Sequence, residues 1–474
     1  MKKTKIIATV GPACKKQSVL KEMIREGIDI LRINVSHTTP QTLEQWINHI
    51  RQLDKIFSRR IPILVDLQGP RVRTGKLAHH KPILLEEGQE IVIAIGDFAG
   101  SKEKIVTSCR EFQAMVKAGD RIMLDNGSME LETLKVTEKW IRCRIIRGGT
   151  LGENKGINLP NAPVTLPALS KEDIAHLKVA CRLNVDFIAL SFVRSDEDID
   201  TLKRWLKRHG KDIPVIAKIE KPRALQHIEA IFSQANGIMV ARGDLGIEMG
   251  LEKVPPIQKD LIDRANQNFV PVITATQMLE SMIENSNPTR AEVSDVANAV
   301  YDGTDAVMLS GETAIGRFPV EAVRIMSETI LEAETNERFL RKWTRPEKEG
   351  KTVSSLHAIS RAAYLASQAL GAQAIIVFTV SGKTAVMVSK LRPNGKVIAL
   401  TTSQRVAARL ALLHGVQSLV IRHSKNTDEM IYSGDKAVVK ADFLKKGDLV
   451  VILSGKQAFT SARYMTKIHE VGEL

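Results

Sequence analysis

Apolar residues come along this chain in short runs, and amphipathic stretches fill the gaps between many of them. The runs are Lys5–Val10, Asp29–Val35, Ile61–Leu67, Asp186–Phe192, Pro214–Glu220, Gly237–Gly243, Pro271–Gln277 and Asp305–Glu312. Helical stretches such as Ser18–Glu26, Lys171–Leu183, Ala224–Gln234 and Pro319–Thr335 lie between them. Strand alternating with helix implies a parallel sheet. Eight such strands predict an α/β fold, a (β/α)8 barrel of the TIM type, once one insertion is set aside.

The insertion lies between Arg71 and Pro167, where the alternation stops. Short β-like runs there (Pro82–Leu85, Glu90–Ile95, Arg121–Leu124, Trp140–Ile146) are broken by Gly, Asp and Asn, which predicts a small β domain hung after the third barrel strand. After Trp343 a charged stretch, Thr344–Lys351, reads as a linker. A second α/β unit follows, with expected strands Ala374–Thr379, Lys396–Thr401, Gln417–Ile421 and Leu449–Leu453. The expected units are residues 1–70 and 168–343 for the barrel, 71–167 for the insertion and 352–474 for the last unit.

Polar residues gather where the barrel strands end. They are Arg32, Asn34 and Ser36; Asp66; Ser191 and Arg194; Lys218 and Glu220; Arg242 and Asp244; Thr276 and Gln277; Ser310 and Glu312. In a closed barrel these ends share one face, where active sites of this architecture are built. So many at one rim are hard to explain as packing, because a buried charge is costly unless paired or metal-bound.

Composition narrows the rest. The chain has 474 residues, 43% hydrophobic and 26% charged, the balance of a globular protein with several domains. No apolar run approaches the roughly 20 residues that cross a bilayer, so no membrane partner is expected. The apolar stretch after Met1-Lys2-Lys3 is short and ends at Gly11-Pro12, so it reads as a buried strand and not a leader. Cys14, Cys109, Cys143 and Cys181 lack metal-ligand spacing and read as free thiols of a cytoplasmic protein. The net charge of +14 suits anionic partners, though most of the lysines read as solvated surface. Aromatics are 4%, with no basic stretch interleaved with them, so nucleic acid is not expected as a partner.

Two acids in the rim set, Glu220 and Asp244, stand on adjacent strands. Such a pair suits magnesium, a hard cation that keeps open positions for waters and substrate phosphates. A structural ion pair with Lys218 or Arg242 explains them equally well from these residues alone. Lys218 and Glu220, two apart on one strand, face the same side. With Arg32 across the rim they compose a cationic cradle, which suits phosphoryl transfer, a reaction governed by positioning and charge neutralisation. Gly243 and Gly246, in Ala241-Arg242-Gly243-Asp244-Leu245-Gly246, mark either a backbone anion site at a helix start or a tight turn.

The segments ATVGP, RINVSH, DLQGPRVRTG, NKGINLP, AKIEKP, IMVARGDLGIE, ITATQMLESM and PTRAEVSDVANAVYDGTDAVMLSGETA resemble the pyruvate kinase family in order and spacing. The resemblance implies a barrel, an inserted β-barrel lid and a C-terminal regulatory domain, assembled as a homotetramer. It implies phosphoenolpyruvate and ADP as substrates, pyruvate and ATP as products, and Mg2+ or Mn2+ as cofactor. By position, Glu220 and Asp244 resemble the metal ligands, Lys218 the lysine that stabilises the phosphoryl group, and Arg32 the arginine on its oxygens. The Gly243 and Asp244 amides with Thr276 resemble the group that holds the substrate carboxylate. Asn34, His37, Arg73 and Lys155 resemble nucleotide contacts. Thr276, Ser310 and Glu312 match the region that supplies a proton to the enolate. Arg290 resembles a residue that reaches across a subunit interface.

The chain departs from the family at one cation site. Many members bind potassium at positions matching Asn34, Ser36, Asp66 and the Leu67 carbonyl. Those members carry glutamate where this chain has Arg71, and Thr-Lys where it has Leu67-Gln68. Two charges about 5 Å apart at an effective dielectric near 20 repel by roughly 3 kcal/mol, and arginine does not shed its proton. Arg71 is therefore expected to replace the monovalent cation, so that potassium is not required; the alternative has Arg71 pointing to solvent at the lid hinge. In the last unit Thr379, Ser381, Gly382, Lys383 and Thr384 compose a phosphate nest at a strand-to-helix turn. The resemblance implies a sugar-phosphate effector at this place; the later loop that grips a second phosphate in some members is short here, Gly455-Lys456-Gln457-Ala458, so a sugar monophosphate or AMP is the expected effector, the alternative being none. Two other functions fit parts of the pattern. A magnesium-dependent lyase or aldolase on pyruvate enolate would share Lys218, Glu220 and Asp244 but needs no lid, Lys155 or Arg73. A non-catalytic binding protein should have lost rim ligands, and none is lost at the metal or phosphoryl positions.

Overall fold

The structure, a computed structural model, describes residues 2–160, 166–336, 354–424, 426–455 and 464–473. The expected linker and residues 456–458 of the short loop lie outside them. In chain order the strands open with β1 (Lys5–Thr9), β2 (Ile30–Asn34) and β3 (Ile63–Asp66). The insertion contributes β4 (Val72–Arg73), β5 (Ile83–Leu85), β6 (Glu90–Ile95), β7 (Lys104–Thr107), β8 (Arg121–Leu124), β9 (Met129–Val136), β10 (Trp140–Arg147), β11 (Gly149–Leu151) and β12 (Gly156–Asn158). The chain then returns through β13 (Phe187–Leu190), β14 (Val215–Ile219), β15 (Gly237–Ala241), β16 (Val272–Ala275) and β17 (Ala306–Leu309). The last unit holds β18 (Ala374–Phe378), β19 (Lys396–Thr401), β20 (Val416–Val420), β21 (Leu449–Ser454) and β22 (Met465–Glu470).

Strands β1–β3 and β13–β17 close into a parallel barrel, each run falling where the apolar pattern places it. Alternation explains why it closes around a core. Ile7, Ile30, Leu64, Phe187, Ala189, Ile216, Met239, Ile273, Ala306 and Met308 pack together inside the barrel. Their neighbours Ile6, Leu31, Ile63, Val65, Ile188, Val215 and Val307 pack outward under the helices. Two positions beyond an inward residue is again inward. Ile30 thus leads to Arg32, Leu64 to Asp66, Ala189 to Ser191, and Ile216 to Lys218 and Glu220. The pattern that fills the core also aims the chemistry.

In the insertion seven strands form one sheet, β4-β12-β8-β9-β10-β6-β7, beside the pair β11-β5. Its two edges meet, because the Gly75 amide donates to the Val106 carbonyl at 2.6 Å and Thr107 Oγ1 to the Arg73 carbonyl at 2.9 Å. The result is barrel-like. Strands β4, β7, β9, β11 and β12 were absent from the expected set. β9 is Met-Glu-Leu-Glu-Thr-Leu-Lys-Val, rich in helix formers, and pairing on both flanks with β8 and β10 overrides that preference. The helix expected over Ala224–Gln234 is two, Pro222–Gln226 and Ile228–Gln234, parted at His227 with φ −104° and ψ 17°.

The last unit is a five-stranded sheet, β20-β19-β18-β21-β22, parallel except for the edge strand β22, which the apolar pattern did not single out. Its Leu412 joins the apolar cluster inside the barrel. Lys390, at the end of the helix Lys383–Lys390, and Arg392 both reach Asp305 at the foot of β17.

Candidate active site

Arg32 and Asp66, on neighbouring strands, make a two-point pair: Nε and Nη2 of the arginine lie 2.8 and 2.7 Å from Oδ2. The remaining Nη1 donates to Thr9 Oγ1 at 2.8 Å. Thr9 was not in the predicted set, yet it ends β1 on the inward parity of Ile7, so the rim rule applied to the first strand would have found it.

Lys218 lies between Asp66 Oδ1 at 3.3 Å and Glu220 Oε1 at 2.9 Å, and donates to Ser191 Oγ at 2.7 Å. Ser191 Oγ in turn donates to the Leu67 carbonyl at 2.6 Å. Burial works against the charge on Lys218, but Asp66 and Glu220 outweigh it and raise its pKa, so it stays an ammonium at neutral pH. Asp66 shows the mirror effect: burial pushes its carboxyl up, and Lys218 and Arg32 bring it below the ordinary value.

Glu220 has a side chain with no exposed surface, and its Oε2 accepts the Phe192 amide at 2.7 Å. Burial raises its pKa, Lys218 lowers it in part, and the charge of Asp244 raises it further. Asp244 stands in the first turn of the helix Arg242–Met249. Glu220 Oε1 has no hydrogen-bond partner among the described residues apart from its ion-pair contact with Lys218. A buried carboxylate with an open oxygen, facing a second carboxylate, is a donor set that a hard divalent cation fits. Among the described residues there is no cluster of three or more His, Cys, Asp or Glu able to hold a metal.

Thr276 and Gln277 follow β16 with φ of +68° and +53°. A β-branched residue in the left-handed region is strained and needs support. Arg242 supplies it, donating to the carbonyls of Thr276 at 2.6 Å and Gln277 at 2.9 Å while pairing with Asp295 at 2.7 Å. Arg242 is thus a brace of the turn. The turn aims Thr276 Oγ1 at the Gly243 amide, 2.9 Å away, so that amide is taken up by Thr276 in this conformation.

Glu312 uses both oxygens on backbone: Leu279 N–H donates at 3.1 Å and Ser310 N–H at 2.7 Å. Burial raises its carboxyl pKa, opposed by those amides. Ser310 Oγ is buried with no hydrogen-bond partner among the described residues.

The insertion carries two of the four expected nucleotide-side residues, Arg73 and Lys155, apart from the rim. Arg73 Nη1 donates to the Asn154 carbonyl at 3.0 Å, and burial together with Arg71 lowers its pKa. Lys155 pairs with Asp125 at 3.1 Å. Arg71 donates from Nη2 to Asn126 Oδ1 at 2.8 Å and lies across Gly156, where a Cβ would meet that nitrogen at 2.7 Å. Among the described residues Arg71 makes no hydrogen bond to Asn34, Ser36 or Asp66. Asn34 Oδ1 accepts the Ser36 amide at 3.1 Å. The His37 side chain lies outside the described residues. In the last unit Gly382, at φ +87°, donates to Thr379 Oγ1 at 3.0 Å, Ser381 and Lys383 are exposed, and Gly455 packs against Thr384.

Comparison with known proteins gives one result throughout. A family model described as pyruvate kinase, barrel domain, matches residues 1–323, and one described as pyruvate kinase, alpha/beta domain, matches residues 357–469. A Mycobacterium tuberculosis protein named pyruvate kinase is 39% identical over 470 residues, covering 99% of this chain and 98% of its own. One from Thermotoga maritima is 39% identical, covering 96% of each chain. The crystal structure of a pyruvate kinase from Cryptosporidium parvum superposes with a TM-score of 0.91 at 34% identity, covering 99% of this chain and 96% of that one.

Proposed function

The chain belongs to the pyruvate kinase family, and from that premise we propose which of its residues carry the transfer of a phosphoryl group from phosphoenolpyruvate to ADP. The enzyme is a phosphotransferase of a family that needs Mg2+, and the lyase reading finds no support in the comparisons.

The observation that carries the assignment is the lysine between carboxylates. Lys218 is held as an ammonium by Asp66 and Glu220. It neutralises the equatorial oxygens of the group in flight, and Arg32 holds those oxygens from across the rim. Glu220 and Asp244 hold magnesium, which when bound neutralises charge on the phosphates. Gly243, Asp244 and Thr276 take the substrate carboxylate, which requires Thr276 to release the Gly243 amide. Asn34, His37, Arg73 and Lys155 hold the nucleotide, the last two arriving as the lid swings over the rim. Ser310, whose backbone amide is held by Glu312, relays a proton from water to the enolate with Thr276 nearby.

The same reading extends to the units and the partners. Residues 1–70 and 168–343 are the catalytic barrel, 71–167 the lid and 352–474 a regulatory domain. Thr379, Ser381, Gly382, Lys383 and Thr384 take the phosphate of a sugar monophosphate or AMP. The assembly is a cytoplasmic homotetramer; among the described residues no helix is long and apolar enough to cross a membrane. Potassium is not required: Arg71 turns from Asn126 toward Asp66 when the lid closes and supplies the charge.

The test is ATP formation from phosphoenolpyruvate and magnesium-ADP in potassium-free buffer, followed by potassium titration. Turnover without potassium supports both parts. A rise of tenfold or more on adding potassium keeps the activity and removes the role given to Arg71, since it corresponds to over about 1 kcal/mol. No ATP under either condition refutes the site assignment.

A further inference from the structure

Where the insertion meets the barrel, three polar side chains converge that the transfer itself does not use. Asn158, at the end of β12, donates from Nδ2 to Glu248 Oε1 at 3.0 Å. Lys221 pairs with the same oxygen at 2.5 Å. The Glu248 side chain has no exposed surface and Asn158 is 4% exposed. We propose that Asn158, Glu248 and Lys221 form a buried clasp that sets where the lid docks over the phosphoryl-transfer site, with Glu248 as its central positioning residue. The proposal rests on the reading of the insertion as a lid.

Stability does not account for this cluster. Replacing a buried ion pair by apolar side chains of similar volume is often neutral or favourable. Here the arrangement is also incomplete, because Glu248 Oε2 and Asn158 Oδ1 are buried without hydrogen-bond partners among the described residues. Two buried acceptors left unmatched add a desolvation cost to holding the contact.

Position in the chain gives the clasp its consequence. Lys221 directly follows Glu220. Glu248 lies four residues after Asp244 in the helix Arg242–Met249, so both project from one face, a turn apart. Each metal ligand therefore has a clasp residue on its own backbone element. The lid approaches that helix a second time at Gly127, where an added Cβ would lie 3.5 Å from the Ile247 side chain. Lys221 also sits 5.8 Å from the Phe192 ring centroid, and the Phe192 amide holds Glu220. A shift of either metal-bearing element is transmitted to β12, and β12 begins next to Lys155.

Glu248→Gln and Asn158→Ala test this from the two sides of the contact, so one serves if the other fails to fold. Steady-state kinetics and lid hydrogen exchange are measured on the full chain. The clasp predicts a KM for ADP raised about tenfold in each, with KM for phosphoenolpyruvate within twofold. It also predicts faster exchange confined to residues 72–158, and a double variant no worse than the weaker single one. Unchanged KM for ADP and unchanged lid exchange in folded variants would overturn the clasp. Equal loss of both KM values with exchange raised throughout the barrel overturns it too, as a purely structural effect. Wild-type turnover in the same assay separates these results from failure of the functional reading.

Discussion

The ammonium of Lys218 sits 3.3 Å from Oδ1 of Asp66, and both side chains are nearly inaccessible to solvent. Asp66 is the shared counterion of Lys218 and Arg32, so the two residues should fail differently. Lys218→Met removes a donor aimed at developing charge and should lower kcat by about 10²–10³-fold. Asp66→Ala leaves the buried Arg32 without its counterion while Lys218 keeps Glu220, a defect of about 3–5 kcal/mol, and should show first as a loss of thermal stability. Kinetics and calorimetry on both variants check this; a Lys218→Met enzyme with near-normal kcat refutes the role given to the lysine.

Glu220 offers one oxygen to the Phe192 amide and keeps the other open beside Lys218. Glutamine in its place retains the amide contact and loses the charge. The magnesium concentration for half-maximal rate should therefore rise at least about tenfold, a charge-dependent loss of over 1 kcal/mol. Chelation with EDTA should abolish turnover in the wild type, and added magnesium should restore it. A titration midpoint unmoved by Glu220→Gln would show that the metal is held elsewhere.

Period two made much of this legible from sequence. Ile30, Leu64 and Ile216 are core residues whose parity continues into Arg32, Asp66 and Lys218, so packing and chemistry share one signal. What the sequence hid depends on partners far along the chain. β9 reads as helical until β8 and β10 flank it. Arg242 stands at a rim position and looks like a ligand, yet its guanidinium is spent on the carbonyls of the strained Thr276–Gln277 turn and on Asp295. Asn158 and Glu248 meet across a domain boundary, and no local pattern announces that.

Ser310 and Glu312 are neighbours whose roles the geometry divides. Both Glu312 oxygens are occupied by amides, whereas Ser310 Oγ is buried and uncommitted. Ser310→Ala removes only the hydroxyl and should lower kcat about 10²-fold if that group relays the proton, with melting temperature unchanged. Glu312→Gln sets an amide N–H against a backbone N–H and should cost stability as well as rate. The reverse ranking, with Ser310→Ala almost silent, would move the proton to Glu312.

Lys390 and Asp305 pair at 2.5 Å with neither side chain exposed, joining the last unit to the barrel foot. Burial pushes the Lys390 pKa down to about 8, with Asp305 opposing and Arg392 adding to the shift. The unfolded chain keeps this proton up to about pH 10.4. Between the two values the unfolded state binds more protons than the folded one, so this group makes stability rise with pH, by up to about 3 kcal/mol. Below pH 8 both states are protonated and the contribution is flat. Urea unfolding at constant ionic strength should therefore show wild type gaining on Lys390→Met from pH 8 to 10. A difference that does not vary with pH returns Lys390 to its ordinary range. The contact itself should persist through the titration, because a neutral amine still donates to Asp305 Oδ2 and to Asn266 Oδ1, 2.7 Å away.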